Sequence, residues 1–221
     1  MENSIPLKLV VCISGNGSNL QAIIDAINMG QLNASIACVI SDNPDAYGLT
    51  RAQDHGLQCQ CINPRHYTDR ISYDLALRQL LEGLEFNLLV LAGFMRILDS
   101  AFIKAFERKI INIHPSILPH YKGLNTHQRA MNNNETEHGV SIHIVTAELD
   151  DGPVLLRGRY KIESNHQLSD LQTLGHYLEH EMYPLLLSWI QKRRLTITDK
   201  TIEFDGNPIN DGLEFSDFQV E

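Results

Sequence analysis

The sequence predicts an α/β fold, a mostly parallel sheet with helices on both faces. Three observations carry that expectation. Short and almost wholly apolar runs recur, as at residues 7–14 and 87–92, which is what strands buried on both faces require. Other stretches repeat apolar residues at helical spacing, as at Leu20, Ile23, Ile24 and Ile27. The two kinds of segment alternate, the order of right-handed βαβ units. A chain of 221 residues, 43% hydrophobic and 20% charged, is long and apolar enough to build a substantial core.

Taken in order, residues 7–14 read as the first strand, 15–19 as a glycine-rich turn and 20–29 as a helix. A strand follows at 35–40, with Ser41-Asp42-Asn43-Pro44 as its turn. A helix at 47–55 ends at Gly56, a third strand spans 57–62, and a helix at 68–82 stops at Gly83. The fourth strand, 87–92, runs into a loop, Gly93-Phe94-Met95-Arg96, whose glycine permits close approach to a ligand. A short helix at 100–106 precedes a strand that ends at His114, because Pro115 cannot donate to a ladder and disfavours helix before it. Residues 119–125 form a loop and 126–132 a helical turn or two. Val140, Ile142 and Ile144 alternate with Ser141 and His143, so 139–145 reads as a half-buried strand, and 154–162 as a strand antiparallel to it. The longest helix, 167–192, tolerates Pro184 as a kink. Residues 195–198 and 201–204 suggest a weak hairpin, after which the chain is expected to fray. The whole is a single-domain, Rossmann-like sheet over residues 1–198, with an N-terminal half at about 7–106, a second half at about 107–198 and an acidic tail at 199–221.

That tail carries six of the nine net negative charges, so the remainder is only mildly acidic. Long-range attraction to nucleic acid or anionic membrane is therefore not expected. No apolar run approaches the roughly 20 residues that span a bilayer. Cys12, Cys38, Cys59 and Cys61 lie in apolar, strand-like surroundings without the spacing of a zinc knuckle. They read as buried free thiols, and the protein as cytoplasmic.

Residues 110–119, Ile-Ile-Asn-Ile-His-Pro-Ser-Ile-Leu-Pro, hold the chemistry. Side chains two apart in a strand share a face, so Asn112 and His114 stand side by side at the strand's C-terminal mouth, where open α/β sheets bind ligands. With Asp150 they offer an amide donor, an imidazole and a carboxylate. Asn112 would donate to a developing oxyanion and His114 would move a proton; Asp150 would fix the ring and raise its pKa. No serine or cysteine stands in a recognisable elbow, which favours direct transfer between two substrates. Gly15-Asn16-Gly17-Ser18-Asn19 between strand and helix suits an anion at the helix N-terminus, or is a plain tight turn with Ser18 or Asn19 as N-cap. His176, Glu179 and His180 match an inverted zinc-peptidase pattern, but few residues follow to supply a third ligand, and no metal is expected.

Four stretches together resemble the phosphoribosylglycinamide formyltransferases: Ile13-Ser14-Gly15-Asn16-Gly17-Ser18-Asn19-Leu20, Leu91-Ala92-Gly93-Phe94-Met95-Arg96-Ile97-Leu98, Ile113-His114-Pro115-Ser116-Ile117-Leu118-Pro119 and Glu148-Leu149-Asp150-x-Gly152-Pro153. The resemblance runs from about Lys8 to Leu195. It implies transfer of a formyl group from 10-formyltetrahydrofolate, as co-substrate, to the amine of glycinamide ribonucleotide in purine synthesis. It further implies that Asn112, His114 and Asp150 are the catalytic trio. Gly17, Ser18 and Asn19 would hold the ribonucleotide phosphate and Glu179 its amine. Met95, Arg96, Ile97 and Leu98 would line the folate pocket with Asn112 and the 146–150 loop, and Arg70 would contact a ligand, assigned to the folate. The expected partners are these small molecules, in a monomer or homodimer.

Two departures stand out. Asn125 replaces a histidine common before Thr126-His127, and Asp151 replaces a glycine, either tuning His114 or facing solvent. Related readings are methionyl-tRNA formyltransferase, which would carry a basic C-terminal domain, and 10-formyltetrahydrofolate hydrolase, which would carry a small domain before the core. A catalytically silent folate- or nucleotide-binding module is the alternative of a different class.

Overall fold

A computed structural model of the chain describes residues 5–198 and 200–218. The fold divides into two compact units, the first ending at Ile111 and the second beginning at Asn112.

The first unit contains β1 (Leu7–Ile13), α1 (Ser18–Asn28), β2 (Ala34–Ser41), α2 (Tyr47–Asp54), β3 (Cys59–Cys61), α3 (Arg70–Glu82), β4 (Leu88–Leu91) and α4 (Ser100–Ala105). Its strands order as β4-β1-β2-β3, and every pairing is parallel. β1 is central and buried at every position except Lys8, as its apolar run requires. Helix starts are set by side chains. Asp69 and Ser72 form a reciprocal capping box, so α3 begins at Arg70, two residues later than the pattern suggests. Asp99 caps α4 by accepting from the Phe102 amide at 2.7 Å. Because β1 and β4 run parallel, the loops that follow them emerge at the same edge of the sheet. The Ser14 amide donates to the Gly93 carbonyl at 3.1 Å, and the Met95 amide to Ser14 Oγ at 2.8 Å.

The second unit is entered along β5 (Ile110–His114) and continues through α5 (Thr126–Asn132), β6 (Glu137–Ile144), β7 (Val154–Lys161), α6 (Leu168–Gln191), β8 (Leu195–Ile197), β9 (Ile202–Phe204), β10 (Asn207–Pro208) and β11 (Leu213–Glu214). The order is β5-β6-β7-β11, with β6 and β7 antiparallel as expected and β11 parallel to β7. A small antiparallel sheet joins β8, β9 and β10. α6 keeps Pro184 in its interior.

Three expectations need correction. β6 is buried on both faces rather than half-buried, so Ser141 and His143 are interior polar groups that must find partners. The acidic segment does not fray over residues 200–218. Phe204 and Phe218 pack edge-on against Trp189 at 4.9 and 4.5 Å between centroids, and β11 extends the sheet. Apolar anchors, invisible in a net-charge reading, hold it down. The cysteines are all free, but only Cys12 and Cys38 are buried and Cys61 is exposed.

Candidate active site

The period of β5 puts Asn112 and His114 on one face, and Pro115 ends the strand. The structure brings both together with Asp150 and adds a fourth member, His143 of β6. Asp150 Oδ2 lies 3.5 Å from His114 Nδ1, and its Oδ1 lies 3.6 Å from His143 Nε2. Asn112 Nδ2 stands 3.2 Å from His143 Nε2. Nothing in the alternating pattern of β6 singled out His143. A second polar pair spaced by two, Ser141 and His143, matched the Asn112/His114 pair and was the available signal.

The ring nitrogens can be assigned from their partners, because a carbonyl only accepts. His143 Nδ1 is 2.9 Å from the Ile144 carbonyl and therefore carries its proton. Its Nε2 then accepts from the Asn112 amide, which fixes which way that amide points. His114 Nε2 is 2.9 Å from the Tyr121 carbonyl and carries its proton, leaving Nδ1 toward Asp150 in the neutral ring.

Burial dominates the electrostatics. Removal of His114 from water pushes its pKa below the ordinary histidine value, although the Tyr121 carbonyl and Asp150 act upward. The carboxylate thus works in the expected direction and loses to desolvation. For Asp150, burial acts upward, yet the charge of His114 and the Gly123 amide act against it, and the carboxyl lies below its usual value. The Gly123 amide donates to Asp150 Oδ2 at 2.9 Å. Asp151 pairs with Lys122, half exposed, and faces solvent. Asn125 occupies a left-handed conformation before α5 with φ of 57°.

In the first unit, the glycine turn is shaped by its own backbone. Gly17, not Ser18 or Asn19, is the residue before α1, with φ of 74° and no side-chain cap. A Cβ at Gly17 would lie 2.6 Å from the Gly48 Cα, so α2 packs directly on the turn. Arg51 of α2 donates from Nε to the Asn16 carbonyl at 2.9 Å and from Nη2 to Asn16 Oδ1 at 3.1 Å. The first amides of a helix have no carbonyl partner within it, which gives the turn its capacity for an anion.

Along the loop after β4, Met95 and Ile97 are exposed, whereas Leu98 is buried and packs inward. Arg96 lies over the Tyr73 ring at 4.7 Å, and Arg70 is exposed at the first turn of α3. Both cations bear on Asp74, whose burial pushes its carboxyl up against the pull of the Asp99 amide. Glu179 is buried on α6, and its charge acts on the hydroxyls of Tyr160 and Tyr183. The His176 and His180 rings stack at 6.2 Å, and among the described residues no group of three His, Cys, Asp or Glu side chains is placed to hold a metal ion. No helix among the described residues is long and apolar enough to cross a membrane.

An amide, an imidazole and a carboxylate meeting at a strand mouth are groups that acyl transfer can use. The model of the formyl transferase family matches residues 7–187, and the chain belongs to that family. Its relatives narrow the class. The chain is 39% identical over 202 residues to phosphoribosylglycinamide formyltransferase of Haemophilus influenzae, across 91% of this chain and 95% of that one. It is 40% identical over 200 residues to the Escherichia coli protein of the same name, covering 90% and 94%. Phosphoribosylglycinamide formyltransferase from Coxiella burnetii, a solved structure, superposes with a TM-score of 0.90 at 45% identity, covering 96% of this chain and all of that one. Glycinamide ribonucleotide transformylase 1 from Symbiobacterium toebii gives 0.85 at 35%, covering 90% and 94%. The α/β architecture read from the sequence is the one these enzymes share.

Proposed function

We propose that the chain transfers the formyl group of 10-formyltetrahydrofolate to the amine of N1-(5-phosphoribosyl)glycinamide, a step of de novo purine biosynthesis. The observation that carries this reading is the Asn112–His143–Asp150–His114 cluster in a chain of this family. The amine nitrogen attacks the formyl carbon, a C–N bond forms, and the carbonyl electron pair moves to oxygen. The Asn112 amide, held by His143, keeps a second N–H to donate to that oxyanion. The amine's proton leaves through His114 Nδ1, where Asp150 stabilises the imidazolium, and is returned to the folate nitrogen as the old C–N bond breaks. No proton or electron is gained or lost overall, so no further reactant is needed.

Gly17, Ser18 and Asn19 take the phosphate on backbone amides at the start of α1. Glu179 takes the glycinamide amine. Arg70, Met95, Arg96, Ile97, Leu98 and Asn112 serve the folate, Leu98 through its backbone. With free thiols the protein works in the reducing cytoplasm, as a monomer or homodimer. The test is deformylation of 10-formyltetrahydrofolate with the ribonucleotide and, in parallel, with water alone. Turnover that requires the ribonucleotide supports the transferase. Equal turnover without an amine acceptor overturns it in favour of a hydrolase, and folate binding without turnover in favour of a silent binding module.

A further inference from the structure

Arg157 of β7 is a cation in the interior, 7% exposed, and a buried guanidinium persists only with acceptors and counter-charge. It finds them on two stretches far apart in the chain. Its Nε–H donates to the Leu118 carbonyl at 3.0 Å. Its other face turns to the acidic segment, where Nη1 donates to the Asp211 backbone carbonyl and Nη2 to Asp211 Oδ1 at 2.9 Å. Glu214 Oε1 is 3.8 Å from Nη1. The Asp211 side chain is 93% exposed, so its charge is screened, and its backbone carbonyl is the firmer anchor. That carbonyl is held in place because β11 pairs with β7 at Leu213↔Leu156 and Glu214↔Arg157.

Leu118 is not an arbitrary target. Its amide donates to Ser141 Oγ at 3.0 Å, and the Ser141 hydroxyl donates to the Ser116 carbonyl at 2.7 Å. The Ser116 hydroxyl in turn donates to the His120 carbonyl at 2.7 Å. The next residue, Tyr121, supplies the carbonyl that accepts from His114 Nε2. The guanidinium is therefore tied, through a short and multiply anchored loop, to the acceptor that selects the His114 tautomer.

We propose that Arg157 is a positioning residue for His114, and that the segment at residues 211–214 is the anchor that holds Arg157 in place. Residues 211–214 thereby belong to the working apparatus of the site, resting on the formyl-transfer reading given above. The geometry of the fork matters more than the charge, because one planar group must reach Leu118 and Asp211 together.

The test uses the full chain with Arg157→Ala and Arg157→Lys, the second keeping the charge so that a folded variant is in hand. Formyl-transfer kinetics should show kcat reduced roughly ten- to hundred-fold in both, with KM for each substrate within about two-fold. Nitrogen-15 NMR of the histidines, recorded without substrates, should show a single Nε2–H tautomer for His114 in the parent and a mixture in Arg157→Lys. Asp205→Ala, which removes an exposed ion pair to Arg194 in the same segment, should change neither readout. Retention of kcat and of the single tautomer in Arg157→Lys, with only thermal stability lowered, overturns the proposal. Since the tautomer is read without turnover, failure of the positioning role is distinguishable from failure of the formyl-transfer reading.

Discussion

The glycine turn at residues 15–19 and the strand mouth at Asn112 and His114 are both candidate binding elements, but they are made in opposite ways. The turn is a backbone object. Gly17 sits at a positive φ, Gly48 packs against it without room for a Cβ, and Arg51 grips Asn16 from α2. The strand mouth is a side-chain object in which each polar group is oriented by another: Ile144 by its carbonyl sets His143, His143 sets Asn112, and Tyr121 sets His114. A backbone object fails by steric strain and a side-chain object by loss of protons and donors, so the two should respond differently to substitution and to pH.

The largest effect belongs to the strand mouth. His114→Ala should lower kcat by about 10²–10⁴-fold while KM for both substrates changes little, because proton transfer is made only in the transition state. Steady-state kinetics check this, and an unchanged kcat would remove His114 from the chemistry. The turn should behave in the reverse sense. Gly17→Ala forces a Cβ into Gly48 at a left-handed φ that costs an ordinary residue about 1–2 kcal/mol. KM for the ribonucleotide should rise about ten-fold with kcat for bound substrate largely kept. Were stability to fall with KM intact, Gly17 would serve the fold alone.

The same division explains what the sequence disclosed. Gly17 and the Asn112/His114 pair were legible because a glycine-rich turn after an apolar strand, and two polar residues at period two before a proline, are local patterns. The parallel pairing in the first unit followed from alternating strands and helices. What escaped was set by distant neighbours. His143 matters because antiparallel pairing buries β6 on both faces, and no local pattern distinguishes a buried polar face from a wet one. The net direction of the His114 pKa depends on how much desolvation its surroundings impose. The acidic segment looked unanchored because its hold on the core runs through Trp189, Phe204, Phe218 and Arg157, single contacts spread over the sequence.

The smallest effect sharpens the contrast through pH. Behind the strand mouth, His127 and His138 pack edge-on at 5.1 Å, and burial, aided by their mutual repulsion at His127, pushes both down to about 4. His114 is shifted in the same direction and also repels them, whereas Glu135 and the Pro115 carbonyl act upward on His138. In the unfolded chain a histidine titrates near 6.5. Between about 4 and 6.5 the unfolded state therefore binds more protons, and stability falls as pH falls through that window and is complete above it. Each group contributes at most about 1.4 kcal/mol per pH unit, with fully buried His138 nearer that limit than half-buried His127. Urea unfolding at pH 7 and pH 5 should show the loss, and His127→Gln with His138→Gln should flatten it. Asp150, shifted below its usual value, is linked with the same sign in a more acidic window: its stabilisation is lost only as pH drops below about 3.8. The glycine turn, a matter of sterics, has no such dependence. A slope unchanged in the double variant would move the titrating groups elsewhere and leave the side-chain object as insensitive to acid as the backbone one.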